Sequence, residues 1–477
     1  MSNLISLEEK LDAAGLSRRD VLMPDNIDEY LRKGIVQGQA RRKKSTTRIR
    51  RRAWSGIAMA LLLIACVTTI RISPVFASFL REIPGMEAIV NLVRESNDRG
   101  IGLALNNDFF QPIGASDEYK GIKLTVEGII ADDTRAVIFY SVDNQSSNER
   151  LTLERPRLMD ANGKDFARGI SWGNIAPGIE TKDIGFHRGT IDVQLQEGDE
   201  LPETMVLTTA LVAGETNVPV DLEATEPPES TPDPVVNHLY TVNIPVDRKK
   251  FEGLKQEYSL NQTITVEGQR ITFTKATVYP LKIAVDVEVD ESNSKQVFGP
   301  ADIRMTDEEG GVWKTFMTFG DFRSKTTIYF ESNYFRKPME LYLEGEWFRA
   351  LDKSKMDIVI DTDKRKLLQA PDGFLKLKSV TPFGKYKKIT LQLAAKEKTA
   401  GMWGYNVISG DFIDASGKAY KQAYIPGGTV VSTSSTGEKN EQEMYYYLDD
   451  KKYEQPLTFK VGSYPSFIHA PYKVRIK

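Results

Sequence analysis

The sequence predicts a mainly β chain: short α-helices at the start, one transmembrane helix, then three tandem antiparallel, immunoglobulin-like β-sandwiches. Three observations predict it. From about residue 118 onward apolar and polar residues alternate with period two, broken by turn residues about every ten positions. The alternating pattern recurs three times in one order. A single uncharged run, Ala53 to Ile70, separates this region from a basic N-terminal segment.

The first segment, 1–52, reads as short helices. Ser6-Leu7-Glu8-Glu9 is a capping box, Leu7, Leu11 and Ala14 follow on one stripe, and Gly15 stops the turn. A second piece begins at Ser17 and ends near Met23-Pro24. Asp25 or Asn26 then caps a longer helix with Ile27, Tyr30, Leu31 and Ile35 on one face, weakened by Gly34 and Gly38. So short a segment has little core of its own. Leu7, Leu11, Ile27, Tyr30, Leu31 and Ile35 are therefore the candidate partner-binding residues. The competing placements are against the first helix or on the membrane surface.

Residues 53–71 form the expected span. At ~1.5 Å per residue the uncharged run reaches ~27 Å, close to the hydrocarbon thickness of a bilayer. Arg41, Arg42, Lys43, Lys44, Arg48, Arg50, Arg51 and Arg52 precede it with no acid among them, which places the N-terminus in the cytoplasm and the rest outside. The same ladder suits contact with anionic lipids of the cell membrane. Val75-Phe76-Ala77 also fits a signal-peptidase site, so a cleaved export signal is the rival reading; a leading region of 52 residues with its own helix patterns argues against it. A buried core helix is the third reading, and the charge ladder argues against that. Residues 72–117 then connect the span to the β region, with Met86, Ile89, Val90 and Val93 marking a helix near 85–95 and a shorter helix at 98–107.

Three modules follow, at 118–221, 238–362 and 363–477. Each opens on an alternating pair of strands, from Gly121, Gly268 and Gly373. Each next runs into a turn that begins with Asp and ends with Gly: Asp160 and Gly163, Asp307 and Gly310, Asp414 and Gly417. Each closes on a proline-led strand, from Pro202, Pro338 and Pro456. Convergent strand patterning without duplication would look similar. Residues 222–237 form an acidic, proline-rich and therefore extended linker.

Composition narrows the function classes. The net charge is −3 overall, but residues 1–52 carry 13 Lys/Arg against 7 Asp/Glu, and residues 73–477 carry 49 against 59. An acidic exterior part gives no reason to expect nucleic acid as its ligand. The only cysteine, Cys66, lies within the uncharged run, so no disulfide holds the modules. His187, His238 and His469 lack metal-like spacing, and no P-loop, dinucleotide fingerprint, H-E-x-x-H or EF-hand loop occurs. Gly169-Ile170-Ser171-Trp172-Gly173 matches G-x-S-x-G, but its surroundings are β and loop rather than strand-turn-helix, so Ser171 reads as loop and Trp172 as partial core. Asp132-Asp133, Glu308-Glu309 and Asp449-Asp450 read as solvated turn acids. Trp313 to Phe322 and Tyr445-Tyr446-Tyr447 read as core or cross-strand aromatics, with a sugar-binding face as the alternative. No catalytic residue, cofactor or metal site is expected.

Residues 24 to about 145 resemble a family of single-pass membrane proteins of Gram-positive bacteria. The matching stretches are the helix start at Pro24–Tyr30, the basic run into the span, SPVFASFLREIPGMEAIVNLVR, RGIGLALNNDFF and GIKLTVEGIIADDTRAVIFYSV. Residues from about 238 to 365 resemble a domain that often follows in that family. The resemblance implies an anti-sigma factor of the extracytoplasmic-function type, with a sigma factor as partner. The better-known anti-sigma domain carries a His-x3-Cys-x2-Cys zinc motif, whereas residues 1–52 hold neither His nor Cys, so sigma binding here would be zinc-free. The expected function is a transmembrane regulator whose N-terminal helices hold a sigma factor while the exterior part senses the envelope. A protease cutting near Val75–Phe79 or within the span would end the inhibition. The alternative is a non-catalytic envelope-binding protein anchored by the same helix.

Overall fold

The computed structural model describes Ile89, Val93 and residues 98–477, except 147–149, 168, 175–184, 196–198, 214–237, 320–321, 323, 395–404, 424–430 and 433–440. The candidate residues Leu7, Leu11, Ile27, Tyr30, Leu31 and Ile35, the run Ala53–Ile70 and the linker 222–237 lie outside the described residues. Among those described, no helix is long and apolar enough to cross a membrane. The described fold is mainly β, built from antiparallel sheets, with one α-helix described along its whole length.

That helix, α1 (Arg99–Asn106), coincides with the short helix expected at 98–107. Asp98 caps it by accepting from the Ile101 amide at 3.1 Å. Ile101, Ala104 and Leu105 face inward, and Ile89 and Val93, also helical, are buried as well.

In the first repeat β1 (Phe110–Tyr119), β2 (Ile122–Ala131), β3 (Arg135–Asn144), β5 (Gly169–Asn174) and β6 (Phe186–Gln194) form a sheet in the order β1-β2-β3-β6-β5. A second sheet holds β4 (Leu151–Asp160), β7 (Thr204–Ala213) and β8 (Tyr240–Pro245) in the order β4-β7-β8. The strand β3 is buried on both faces. Ile138 and Tyr140 lie with Ile191 and Trp172 on the face toward β4, where Trp172 Nε1 donates to the Leu153 carbonyl at 3.2 Å. Val137 and Phe139 lie on the opposite face and are only 3% and 1% exposed, because the connector and the second repeat cover them. A strand covered on both sides reads as a continuous apolar run, as Ala136 to Tyr140 does.

The second repeat runs through β9 (Gln256–Val266), β10 (Gln269–Val278), β11 (Lys282–Val289), β12 (Lys295–Pro300), β13 (Arg304–Asp307), β14 (Val312–Phe319), β15 (Lys325–Glu331) and β16 (Leu341–Asp352). The strand β14 pairs with β13 through Val312–Lys314 and with β15 from Thr315 on, so the sheet folds over a single core that includes Ile271, Phe273, Trp313 and Phe348. The third repeat runs through β17 (Asp357–Asp361), β18 (Lys366–Gln369), β19 (Leu375–Phe383), β20 (Tyr386–Ala394), β21 (Ile408–Ile413), β22 (Ala419–Lys421), β23 (Val431–Ser432), β24 (Glu441–Asp449) and β25 (Leu457–Val461); β26 (Phe467–Arg475) ends the chain's strands.

The triplication read from spacing has a structural counterpart. The opening hairpins are β2–β3, β10–β11 and β19–β20, each joined on its second strand by β6, β15 or β24. The Asp–Gly strands β4, β13 and β21 pair with the closing strands β7, β16 and β25. At each Asp–Gly turn the glycine amide donates to the Asp carbonyl, at 3.0, 3.1 and 2.9 Å. One Asp carboxylate oxygen also accepts amides two and four residues on: Asn162 and Lys164, Glu309 and Gly311, Ser416 and Lys418. Gly163, Gly310 and Gly417 sit at φ +81°, +76° and +85°, which explains a residue without Cβ at that position.

The repeats are not simply in tandem. In the first, β8 follows β7 and pairs with its free edge, so the expected start of the second module at 238 precedes a strand of the first. By that plan β17 would flank β16. Instead β17 crosses to pair with β25, and β26 crosses back to pair with β16. The expected split at 362/363 therefore leaves β17 in the second module and β26 in the third, although each pairs in the other. Short connections, 353–356 and 462–466, carry the chain across each time, and Phe298 and Leu351 enter the core of the third repeat. Local alternation specifies a strand and its buried face but not its partner. Removing residues 466–477 deletes Ile468, Tyr472, Val474 and Ile476 from the core of the second repeat. By burial alone that costs several kcal/mol. A chain ending at Pro465 is expected to lose protease resistance within 256–352 although all of those residues remain; unchanged resistance would contradict the exchange.

Candidate functional site

The first two repeats and the connector meet at a cluster of buried charge. Thr134 ends the tight turn before β3, and Leu281 ends the turn before β11, so two hairpin ends abut. Asp132 is fully buried between them. Its carboxylate accepts from the Thr134 amide at 2.8 Å, the Thr134 hydroxyl at 2.9 Å, the Arg135 amide at 2.9 Å and, across the joint, the Leu281 amide at 2.7 Å. Burial pushes this carboxyl above the usual range, while these donors and Lys282 pull it back.

Arg135 is the hub. Its guanidinium, 4% exposed, lies 2.8 Å from Asp98 and 2.5 Å from Asp192, and also donates to the Leu281 carbonyl at 3.2 Å. The ring of Phe316 packs on it at 4.7 Å. Burial alone would lower its pKa, but Asp192 and Asp98 together outweigh that and raise it. Asp98 thus does two jobs, capping α1 and holding Arg135. Lys282, 1% exposed, donates to the Thr134 carbonyl at 3.0 Å and the Gln194 carboxamide at 3.2 Å and lies 4.3 Å from the Tyr329 ring. Burial pushes its ammonium down to about 8 against the pull of Asp132.

The connector is gripped from the other side too. Arg99 lies 4.4 Å over the Trp313 ring and donates to the Val312 carbonyl at 2.6 Å. Gly100 lets the helix approach the end of β15, since a Cβ there would meet the Ser332 amide at 2.7 Å. A cleft of about 410 Å³ opens beside Arg135 between the connector, the covered face of the first sheet and β14, lined by Ile101, Phe139, Thr190, Asp192 and Phe316 among others.

Several expectations are resolved by these positions. Asp132 is not a solvated turn acid, because its turn is closed off by the second repeat. Gly169–Gly173 lies in the edge strand β5, with Ser171 on the cleft side; His187 lies on the opposite face of β6, beside Val142. The two cannot act together. Trp313, Phe322, Tyr445, Tyr446 and Tyr447 are buried, whereas Phe316 is partly exposed beside the cleft. Among the described residues, no group of three His, Cys, Asp or Glu side chains is placed to hold a metal ion. Sequence reasoning missed Arg135 and Lys282; a charged residue directly abutting a long apolar strand was the available signal.

Residues 47–144 match a family model described as Domain of unknown function (DUF4179), and residues 255–382 match one described as Family of unknown function (DUF5643). No curated protein matches the chain. A solved structure titled "The crystal structure of the conserved domain protein from Bacillus anthracis" is 11% identical with a TM-score of 0.31, covering 72% of this chain and 92% of that one. Asp98, Asp132 and Arg135 fall in the first matched region and Leu281 and Lys282 in the second, so the joint lies between the two.

Away from the joint, His187 gives a pH test. Neither of its ring nitrogens has a partner among the described residues, and burial, followed by Arg150, lowers its pKa from 6.5 to about 4. The unfolded chain therefore takes up this proton first as pH falls. Stability is full above about pH 6.5 and drops toward pH 4, by about 3 kcal/mol from this group. Denaturation curves of the full chain and of His187→Gln across that window are expected to converge at acid pH; parallel curves would contradict a buried neutral histidine.

Proposed function

We propose that the chain is a membrane-anchored, anti-sigma-factor-like regulator. In this reading residues 53–71 span the membrane, and the helices of 1–52 sequester a sigma factor through Leu7, Leu11, Ile27, Tyr30, Leu31 and Ile35. Three immunoglobulin-like sandwiches sense the envelope. The observation that carries the reading is the grip on the connector: Asp98, the cap of α1, is ion-paired to the residue that joins the first two repeats. A change in how those repeats meet would reach the connector through one side chain, and cleavage near Val75–Phe79 would release the inhibitor. The cleft of about 410 Å³ favours the second reading, a non-catalytic envelope-binding protein.

The two readings separate at the N-terminal segment. Leu31→Asp with Ile35→Asp would place unpaired carboxylates in a sigma-binding face, at a cost of several kcal/mol. The basic ladder and the apolar run are untouched, so insertion is expected to be normal. Capture of a sigma factor by the full chain should collapse and its regulon should switch on without a signal. Glu29→Gln with Lys33→Gln on the polar face should do far less. No captured sigma factor in wild type, with transcription unchanged by either pair, would overturn the regulator reading in favour of the envelope-binding one.

A further inference from the structure

Within the joint an amine and a carboxamide from different repeats are held together out of water. Lys282 and Gln194 are each 1% exposed, and Nζ lies 3.2 Å from the Gln194 carboxamide oxygen. Neither side chain is free to swing away. Nζ is also fixed by the Thr134 carbonyl at 3.0 Å, and the carboxamide nitrogen donates to Asp192 at 2.7 Å. A cavity of about 20 Å³ opens on the same amine, lined by Thr134, Thr277, Tyr279 and Tyr329, which is room for a molecule the size of water or ammonia. Thr277 Oγ1, on its wall, is buried with no hydrogen-bond partner among the described residues.

We propose that Lys282 and Gln194 condense to an isopeptide bond that staples the first two repeats. The deprotonated Nζ attacks Cδ of Gln194. The Nζ–Cδ bond forms and the Cδ–Nε2 bond breaks. The leaving nitrogen departs as ammonia, carrying its two hydrogens and one proton from the attacking amine, while Asp192 orients the carboxamide by accepting from Nε2. No oxidant, reductant or co-reactant is needed. Fixing both partners at one buried position is the condition under which a slow acyl transfer becomes effectively unimolecular. The lowered pKa of Lys282 enlarges the neutral fraction of the attacking amine. A covalent joint also suits an exterior part that has no cysteine.

The test is the mass of the full chain, and it does not rest on the proposed function. The wild-type protein is expected to be lighter than its sequence by one ammonia and to yield a branched proteolytic peptide containing both Gln194 and Lys282. Lys282→Arg and Gln194→Leu should each restore the full mass. Full sequence mass with two separate linear peptides from the wild type would overturn the proposal, as would an ammonia loss that persists in Lys282→Arg. If a variant misfolds, the wild-type peptide map alone decides.

Discussion

Everything around the joint depends on keeping the guanidinium of Arg135 charged where only 4% of the side chain is exposed. Moving an ion into a protein interior costs several kcal/mol, and only well-placed partners offset it. Here Asp98 and Asp192 supply the charge and the Leu281 carbonyl takes a further N–H. Each partner comes from a different element: the cap of the connector helix, the covered face of β6, and the hairpin end of the second repeat. Losing any one leaves a buried charge short of a partner, so the three elements are energetically one object. Asp132 reinforces the arrangement by bonding both hairpin ends through a single carboxylate.

This geometry makes sense of the connector. A helix of eight residues has little stability of its own. It holds because Ile101, Ala104 and Leu105 bury themselves, Gly100 admits close approach, and Arg99 and Asp98 reach the two repeats. The helix α1 is thus tied into both repeats rather than hanging from one. For a protein proposed to report on the envelope, that tie is where a change outside would be felt.

Much of the fold was legible in the sequence because it is local. Period-two alternation marks the hairpins, and Asp307 with Gly310 marks a turn closed by hydrogen bonds among residues 307–311. The short helix expected at 98–107 is present at 99–106. What stayed hidden is set by contacts between distant segments. The exchange of β17 and β26 leaves no trace in local pattern, since each strand reads the same whichever edge it joins. Asp132 looks like any turn acid until the second repeat covers it, and Arg135 looks like a solvated strand end. The N-terminal partner-binding residues lie outside the described residues.

The central claim is that Asp98 and Arg135 couple the connector to the joint. A double-mutant cycle on unfolding of the full chain tests it most directly, with Asp98→Asn, Arg135→Met and the pair. Asparagine still caps the helix, so the cycle isolates the ion pair from the cap. The account predicts a coupling of about 2 kcal/mol. Effects that add to within about 0.5 kcal/mol would contradict it, because the two residues would then stabilise the protein independently.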